Sequence, residues 1–240
     1  MALPKQAITP PLSTNGFPER AVSWKSVSLG LALVLVSTVL AANLLHLVQG
    51  GSVLQSGSAL IPVVLMTLQL LMLAAVWYFV MRKHAAPFPA LGMVRPRGRW
   101  ALAWPWVALS GSLLFGALYV GAVTAGGAEF LLPPALPLES LGEGPVRWAN
   151  FTIIGVAAPF AEEVFFRAFM LAAFVNGLGV FRGAVAGSAV FAVSHGDIAI
   201  LVPTFVSGLF LSWLYLKTRS LGPPFTAHAA QNLLALSVAA

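Results

Sequence analysis

The sequence predicts an all-α protein: a polytopic transmembrane helical bundle of about seven spans, with six to eight as the range. Three observations predict it. The chain is 59% hydrophobic and 8% charged, with mean hydropathy +0.89, where soluble domains carry about 25% charged residues. Apolar runs of about twenty residues recur, the length needed to cross a hydrocarbon core of about 30 Å. Lys and Arg concentrate in alternate loops, as they do in cytoplasmic loops of membrane proteins. The excess of 13 Lys and Arg over 7 Asp and Glu therefore reads as topology, not as a nucleic-acid footprint. The absence of cysteine excludes disulfides, thiolate metal sites and a thiol nucleophile.

Residues 1–25 hold Pro4, Pro10, Pro11 and Pro18 among scattered polar groups and read as a disordered cytoplasmic tail. Helix one follows, about Val27 to Val48, too long for a signal-peptide core. His46 near its end reads as interfacial. An uncharged Gly/Ser loop leads to helix two, about Ala59 to Met81. The loop after it carries Arg82, Lys83, His84, Arg95, Arg97 and Arg99 and is the strongest topological signal in the chain. Helix three runs about Ala101 to Val123, with Trp100, Trp104 and Trp106 as an interfacial belt.

Residues 124–147 contain Glu129, Glu139, Glu143 and four prolines, and read as an outside loop or a partly interfacial lid. Helix four spans the apolar run from about Trp148 to Val175, and Asn176-Gly177 reads as its stop. Helix five runs about Gly183 to His195, with Gly183 and Gly187 spaced for close helix packing. Helix six runs about Ile198 to Leu216. Helix seven starts at Gly222-Pro223-Pro224 and reaches the end of the sequence. The loops after helices two, four and six hold most of the loop Lys and Arg, which sets the N-terminus inside and the C-terminus outside. By domain, 1–25 is the tail, 26–144 holds three accessory helices, and 145–240 holds the residues with chemical potential.

Those residues centre on Glu162-Glu163-Val164-Phe165-Phe166-Arg167, inside helix four. Each charge at mid-membrane depth costs about 2.5–3.5 kcal/mol, so three there mark a functional site or a structural ion pair. On an ideal helix each residue turns about 100°, which pairs Glu163 with Arg167 at i,i+4. Glu162 points elsewhere, without a local partner. The motif thus divides labour between a neutralised Glu163 and a Glu162 free for chemistry. Downstream, His195 ends helix five four residues after Phe191, and His228 and Asn232 share a face of helix seven. A carboxylate in an apolar pocket serves as a general base, and imidazole and carboxamide groups serve as helpers or oxyanion donors. Straight helices would leave these groups at different depths, so tilted or broken helices and a water-filled cavity are expected.

Other intramembrane protease chemistries fail on counting. A two-aspartate site is impossible with Asp197 as the single Asp. No His is followed by Glu, which removes the His-Glu-x-x-His zincin motif. Gly-x-Ser-Gly, expected of a rhomboid-like serine protease, does not occur, and Ser194 and His195 are helix neighbours pointing apart.

The ordered set Glu162-Glu163-x-x-x-Arg167, Phe191-x-x-x-His195 and His228-x-x-x-Asn232 resembles the motifs of the CPBP family, the CAAX-protease and bacteriocin-processing (Abi) intramembrane proteins. The segment Gly208 to Leu221 resembles the family's run before its last histidine, and the resemblance covers about residues 145–240. It implies a glutamate-dependent endopeptidase. Glu162 with His195 would activate water, His228 with Asn232 would form an oxyanion hole, and Glu163, Arg167 and Phe191 would brace the site. It implies no cofactor, a membrane-associated protein or peptide as substrate, the lipid bilayer as surroundings, and no nucleic acid. The short, acid-poor chain points to a bacterial inner membrane. Nothing in the motifs sets an oligomeric state.

Two other readings use the same residues. Glu162, His195 and His228 are a possible Glu/His₂ zinc set with an open position. Alternatively the pocket belongs to a non-catalytic scaffold or immunity protein that sequesters a peptide. A transporter fits less well, because no paired, similarly interrupted helices occur.

Overall fold

A computed structural model describes residues 24–48, 60–82, 91–96, 98, 100–134 and 141–239. Apart from short turns, these form seven helices and no strand. They are α1 (Trp24–Val48), α2 (60–82), α3 (Trp104–Ala125), α4 (144–178), α5 (Val180–Val193), α6 (Ile198–Thr218) and α7 (Gly222–Ala239). The protein is an all-α membrane bundle. Within α2, α3 and α6, the segments Ile61–Arg82, Trp104–Ala125 and Ile198–Thr218 are long and apolar enough to cross a membrane by length and composition. The 14 residues of α5 rise only about 21 Å, short of a full straight span. Most of the tail, the loop between α1 and α2, residues 83–90 and residues 135–140 lie outside the described residues, as do the side chains of His46 and His84.

The charged helix lies at the centre. Every residue from Glu163 to Val175 is buried. Phe165 and Phe169 pack among Val27 and Val34 of α1 and Met72, Val76 and Phe79 of α2, with Phe79 stacked on Phe169 at 6.2 Å. Gly30 of α1 lets the Phe169 ring approach: a Cβ there would meet Phe169 Cε1 at 2.9 Å. A second apolar cluster joins α3, α6 and α7 through Ala108, Leu211, Leu214 and Ala227. At its edge Trp104 packs edge-on to Trp213 at 5.4 Å, and Lys217 lies 4.3 Å from the Trp104 ring centre. This is the interfacial pattern of amphipathic aromatic and snorkelling side chains.

Two details differ from the expectation. Helix α4 is not an ideal α-helix. Residues Ile153–Ala157 and Glu163–Leu171 wind with the wider i→i+5 (π) turn, a form that is frequent at functional sites. It also ends later than Asn176-Gly177. Gly177 stays helical, and its missing Cβ makes room for the Trp24 ring: a Cβ there would come 2.6 Å from Trp24 Cζ2. The stop is Gly179, whose φ of 80° is a conformation that glycine adopts without strain.

Short connections fix the other ends. Asp197 Oδ1 accepts from the Ala199 N–H at 2.8 Å and caps α6. After α6 the chain turns at Arg219 (φ 54°). The Ser220 hydroxyl then donates to Val94 O at 2.6 Å, and the Leu221 N–H donates to Gly92 O at 2.9 Å. The described part of the basic loop is thus tied to the turn that launches α7. In the acidic segment, the Tyr119 hydroxyl holds Leu131 O at 3.2 Å and Asn150 Nδ2 holds Leu141 O at 3.0 Å.

The α4–α5 hairpin closes through one of the two glycines picked out by spacing. A Cβ on Gly183 would lie 2.7 Å from the Val175 backbone nitrogen, whereas one on Gly187 would meet Leu171 Cδ1 at an ordinary 3.4 Å. Gly183→Ala is therefore expected to cost about 1–3 kcal/mol by overpacking, and Gly187→Ala much less. Thermal unfolding of the two purified variants checks this; equal losses would contradict the close approach at Gly183.

Candidate active site

The glutamates and arginine of α4, Phe191 of α5, His195 in the turn after it, and His228 and Asn232 of α7 converge on one region. The i,i+4 spacing brings Arg167 Nε to 3.3 Å from Glu163 Oε2, and both side chains are buried. The approach is Coulombic, since none of the three guanidinium nitrogens has a hydrogen-bond partner among the described residues. The guanidinium instead lies over the Phe191 ring, 4.2 Å from its centre. A cation on an aromatic face gains about 2 kcal/mol or more when desolvated.

The other oxygen of Glu163 takes His228. Nδ1 lies 2.8 Å from Oε1, and because a carboxylate only accepts, Nδ1 carries the proton and donates. This turns the opposite ring nitrogen, Nε2, toward Glu162 Oε2 at 3.7 Å, beyond direct hydrogen-bond reach. The two carboxylates differ in access. The Glu162 side chain is 18% exposed and that of Glu163 is 1% exposed, so a reactant reaches Glu162 and not Glu163.

Phe191 separates the two histidines. It meets the His195 ring edge-on at 4.8 Å and the His228 ring at 5.8 Å. His195 sits in the turn after α5 and is more exposed than His228. Its Nδ1 lies 2.8 Å from Phe191 O, a carbonyl that only accepts, so Nδ1 is the donor and Nε2 is the nitrogen left for another partner. The resemblance pairs Glu162 with His195; the imidazole that the structure brings toward Glu162 is that of His228, at 3.7 Å.

Asn232 Nδ2 donates to Ile154 O at 2.9 Å, in the first π segment of α4. Since Nδ2 carries two hydrogens, one remains after this bond. The meeting of these groups follows from α7 running antiparallel to α4. Asn232 lies against Ile154 and His228, one turn earlier, against the glutamates. The cavity of about 290 Å³ between α1 and α5, lined by Leu31, Leu35, Ala189, Val190, Val193 and Ser194, lies away from the glutamates and is not the water-filled cavity expected from depth. As for metal, no group of three His, Cys, Asp or Glu side chains comes close enough to share an ion among the described residues. Glu162, His195 and His228 are not assembled as a ligand set here.

Gln69 lies outside the motifs. It is buried in α2 on the face of Met72 and Val76, and its Oε1 has no hydrogen-bond partner among the described residues. As a lone amide in an apolar span it is visible in the sequence, although no motif spacing reaches it.

Fold and site together define an integral membrane protein with a carboxylate–imidazole centre inside a helical bundle. Residues 144–234 match the family model described as Type II CAAX prenyl endopeptidase Rce1-like. The match covers 91 of the 240 residues and supports a CAAX-protease (CPBP) assignment, and with it the general class of CAAX-type intramembrane protease, for this segment. No curated protein and no solved structure matches the chain.

The ion pair makes a sharp energetic statement. Arg167→Met leaves Glu163 buried with only His228 to balance it, and removing one partner of a buried pair costs about 3–5 kcal/mol. Adding Glu163→Gln removes the orphaned charge. The double variant is expected to unfold at a higher temperature than Arg167→Met alone. A double variant less stable than both single variants would contradict the pairing.

Proposed function

We propose that this protein is a glutamate-dependent intramembrane endopeptidase acting on a membrane-associated protein or peptide, with Glu162 as the base. The observation that carries the reading is the contact of Glu162 with His228, where His228 is fixed by Glu163 and Glu163 is balanced by Arg167. In this arrangement Glu162 is the reachable carboxylate.

Glu162 takes a proton from water, and the resulting hydroxide adds to the carbonyl carbon of the scissile bond. Negative charge then develops on the carbonyl oxygen. His228, when protonated on Nε2, and the second N–H of Asn232 donate to that oxygen. One such donor contributes about 2.7–4 kcal/mol of barrier lowering. Glu162 returns its proton to the leaving nitrogen as the C–N bond breaks, giving an amine and a carboxylic acid. His195 lies across Phe191 from His228, and in its neutral form its Nε2 serves as a second acceptor for the water. Phe191 keeps the two imidazoles apart and carries the Arg167 guanidinium on its face. As proposed, the mechanism routes no step through a metal, and stoichiometric zinc retained by chelator-washed, active protein would favour the Glu/His₂ zinc reading instead.

The working environment in this reading is a bacterial inner membrane with the N-terminus on the cytoplasmic side. Support comes from the alternation of Lys and Arg among the loops.

Glu162→Gln preserves size and hydrogen bonding but removes the base. Losing general-base catalysis lowers turnover about 10²–10⁴-fold. Quantitative proteomics of membrane and secreted fractions of the source cells, wild type against Glu162→Gln, reads this as specific protein termini that vanish. Full rescue of a deletion by Glu162→Gln, with every terminus unchanged, would replace the peptidase by a peptide-sequestering scaffold.

A further inference from the structure

In α4, the Ala158 N–H bonds to Ile153 O, five residues back. The next bond in that register would run from residue 159 to Ile154 O. Residue 159 is proline and has no N–H to give. The bond that reaches Ile154 O comes from Asn232 Nδ2, at 2.9 Å, across from α7. An unpaired carbonyl inside a membrane bundle is costly, and helix breaks there persist where a neighbouring group re-satisfies the backbone.

We infer that Pro159 and Asn232 form a positioning pair: the proline withholds the backbone donor, and the Asn232 amide replaces it, locking α7 onto α4 so that His228 meets the two glutamates. Asn232 thus acts on the site through the backbone, in addition to any donation to an oxyanion. Three neighbouring features fit this role. Gly155, adjacent to the bonded carbonyl, lacks the Cβ that would meet Leu233 Cδ2 at 2.5 Å, so α7 sits close at this level. Asn232 and His228 are one helical turn apart, so fixing the first sets the depth and rotation of the second. On α4, Pro159 lies three residues before Glu162, so the widened turn also sets where the carboxylate points.

The inference rests on the proposed function only in calling the aligned groups catalytic. Its test therefore avoids proteolysis, so that its failure leaves the peptidase reading standing, and the reverse. Asn232→Leu is made in the wild-type background and in Pro159→Ala, which restores an N–H at position 159. With Pro159 present, loss of the bond is expected to lower the thermal midpoint by about 2–4 °C. In the Pro159→Ala background the same change is expected to cost less than half as much. Asn232→Asp, of equal size but without the N–H donors, repeats the comparison.

The second readout is the ¹⁵N spectrum of His228 in bilayers. Asn232→Leu is expected to displace both ring nitrogens when Pro159 is present and to leave them near their reference positions when it is alanine. A merely structural contact would lower the midpoint without moving these resonances. Equal midpoint losses in the two backgrounds for both Asn232 variants would overturn the inference. So would a His228 spectrum that ignores Asn232 in the wild-type background.

Discussion

The structure depends on one buried contact, the hydrogen bond from His228 Nδ1 to Glu163 Oε1 at 2.8 Å. Glu163 is a carboxylate in the interior of an apolar bundle, where an uncompensated charge is prohibitive. It is tolerated because Arg167 faces one oxygen and His228 the other. The same arrangement settles the imidazole. With Nδ1 committed to Glu163, Nε2 has one direction left, and it faces Glu162. Glu163 thus spends its charge on orientation, while Glu162 keeps partial access and an uncommitted carboxylate. Neighbouring residues of the same type acquire different roles because the helix points one into the core and the other toward the opening.

The rest of the bundle makes that contact possible. Helix α4 is surrounded: α1 and α2 pack on its aromatic face, α5 folds back along it at Gly183, and α7 crosses it at Ile154 and Gly155. The two π segments widen α4 on either side of Glu162. Such turns sacrifice regular backbone bonding, and in a membrane that loss has to be repaired locally. Phe191 completes the support. It separates the histidines by its own width and offers its face to the guanidinium, which has no hydrogen-bond acceptor of its own among the described residues.

Much of this was legible in the sequence, for identifiable physical reasons. Hydropathy and loop charge located seven helices because a bilayer demands long, apolar, fully hydrogen-bonded segments. The i,i+4 relation of Glu163 and Arg167 was legible because it depends on one local turn. Local spacing does not carry the relation between helices. The resemblance pairs Glu162 with His195, whereas the approach of His228 to Glu162 at 3.7 Å is a consequence of how α7 crosses α4 and has no signal in local spacing. The π turns were hidden as well, since Ile153 to Ala157 reads as ordinary apolar helix; Pro159 was the one local hint. Gly177 misled as a helix stop because its purpose, a seat for Trp24, comes from α1, more than 150 residues earlier.

The most direct test of the account is a distance measurement in lipid bilayers. Protein carrying ¹⁵N-histidine and ¹³C-carboxyl glutamate is compared with the same sample bearing Glu163→Gln, by rotational-echo dephasing of the histidine nitrogens. The expected result is strong dephasing of a protonated His228 Nδ1 by a glutamate carboxyl, corresponding to the 2.8 Å contact, and its loss in Glu163→Gln. A wild-type His228 whose Nδ1 is unprotonated, or whose dephasing is unchanged by the substitution, would contradict the account.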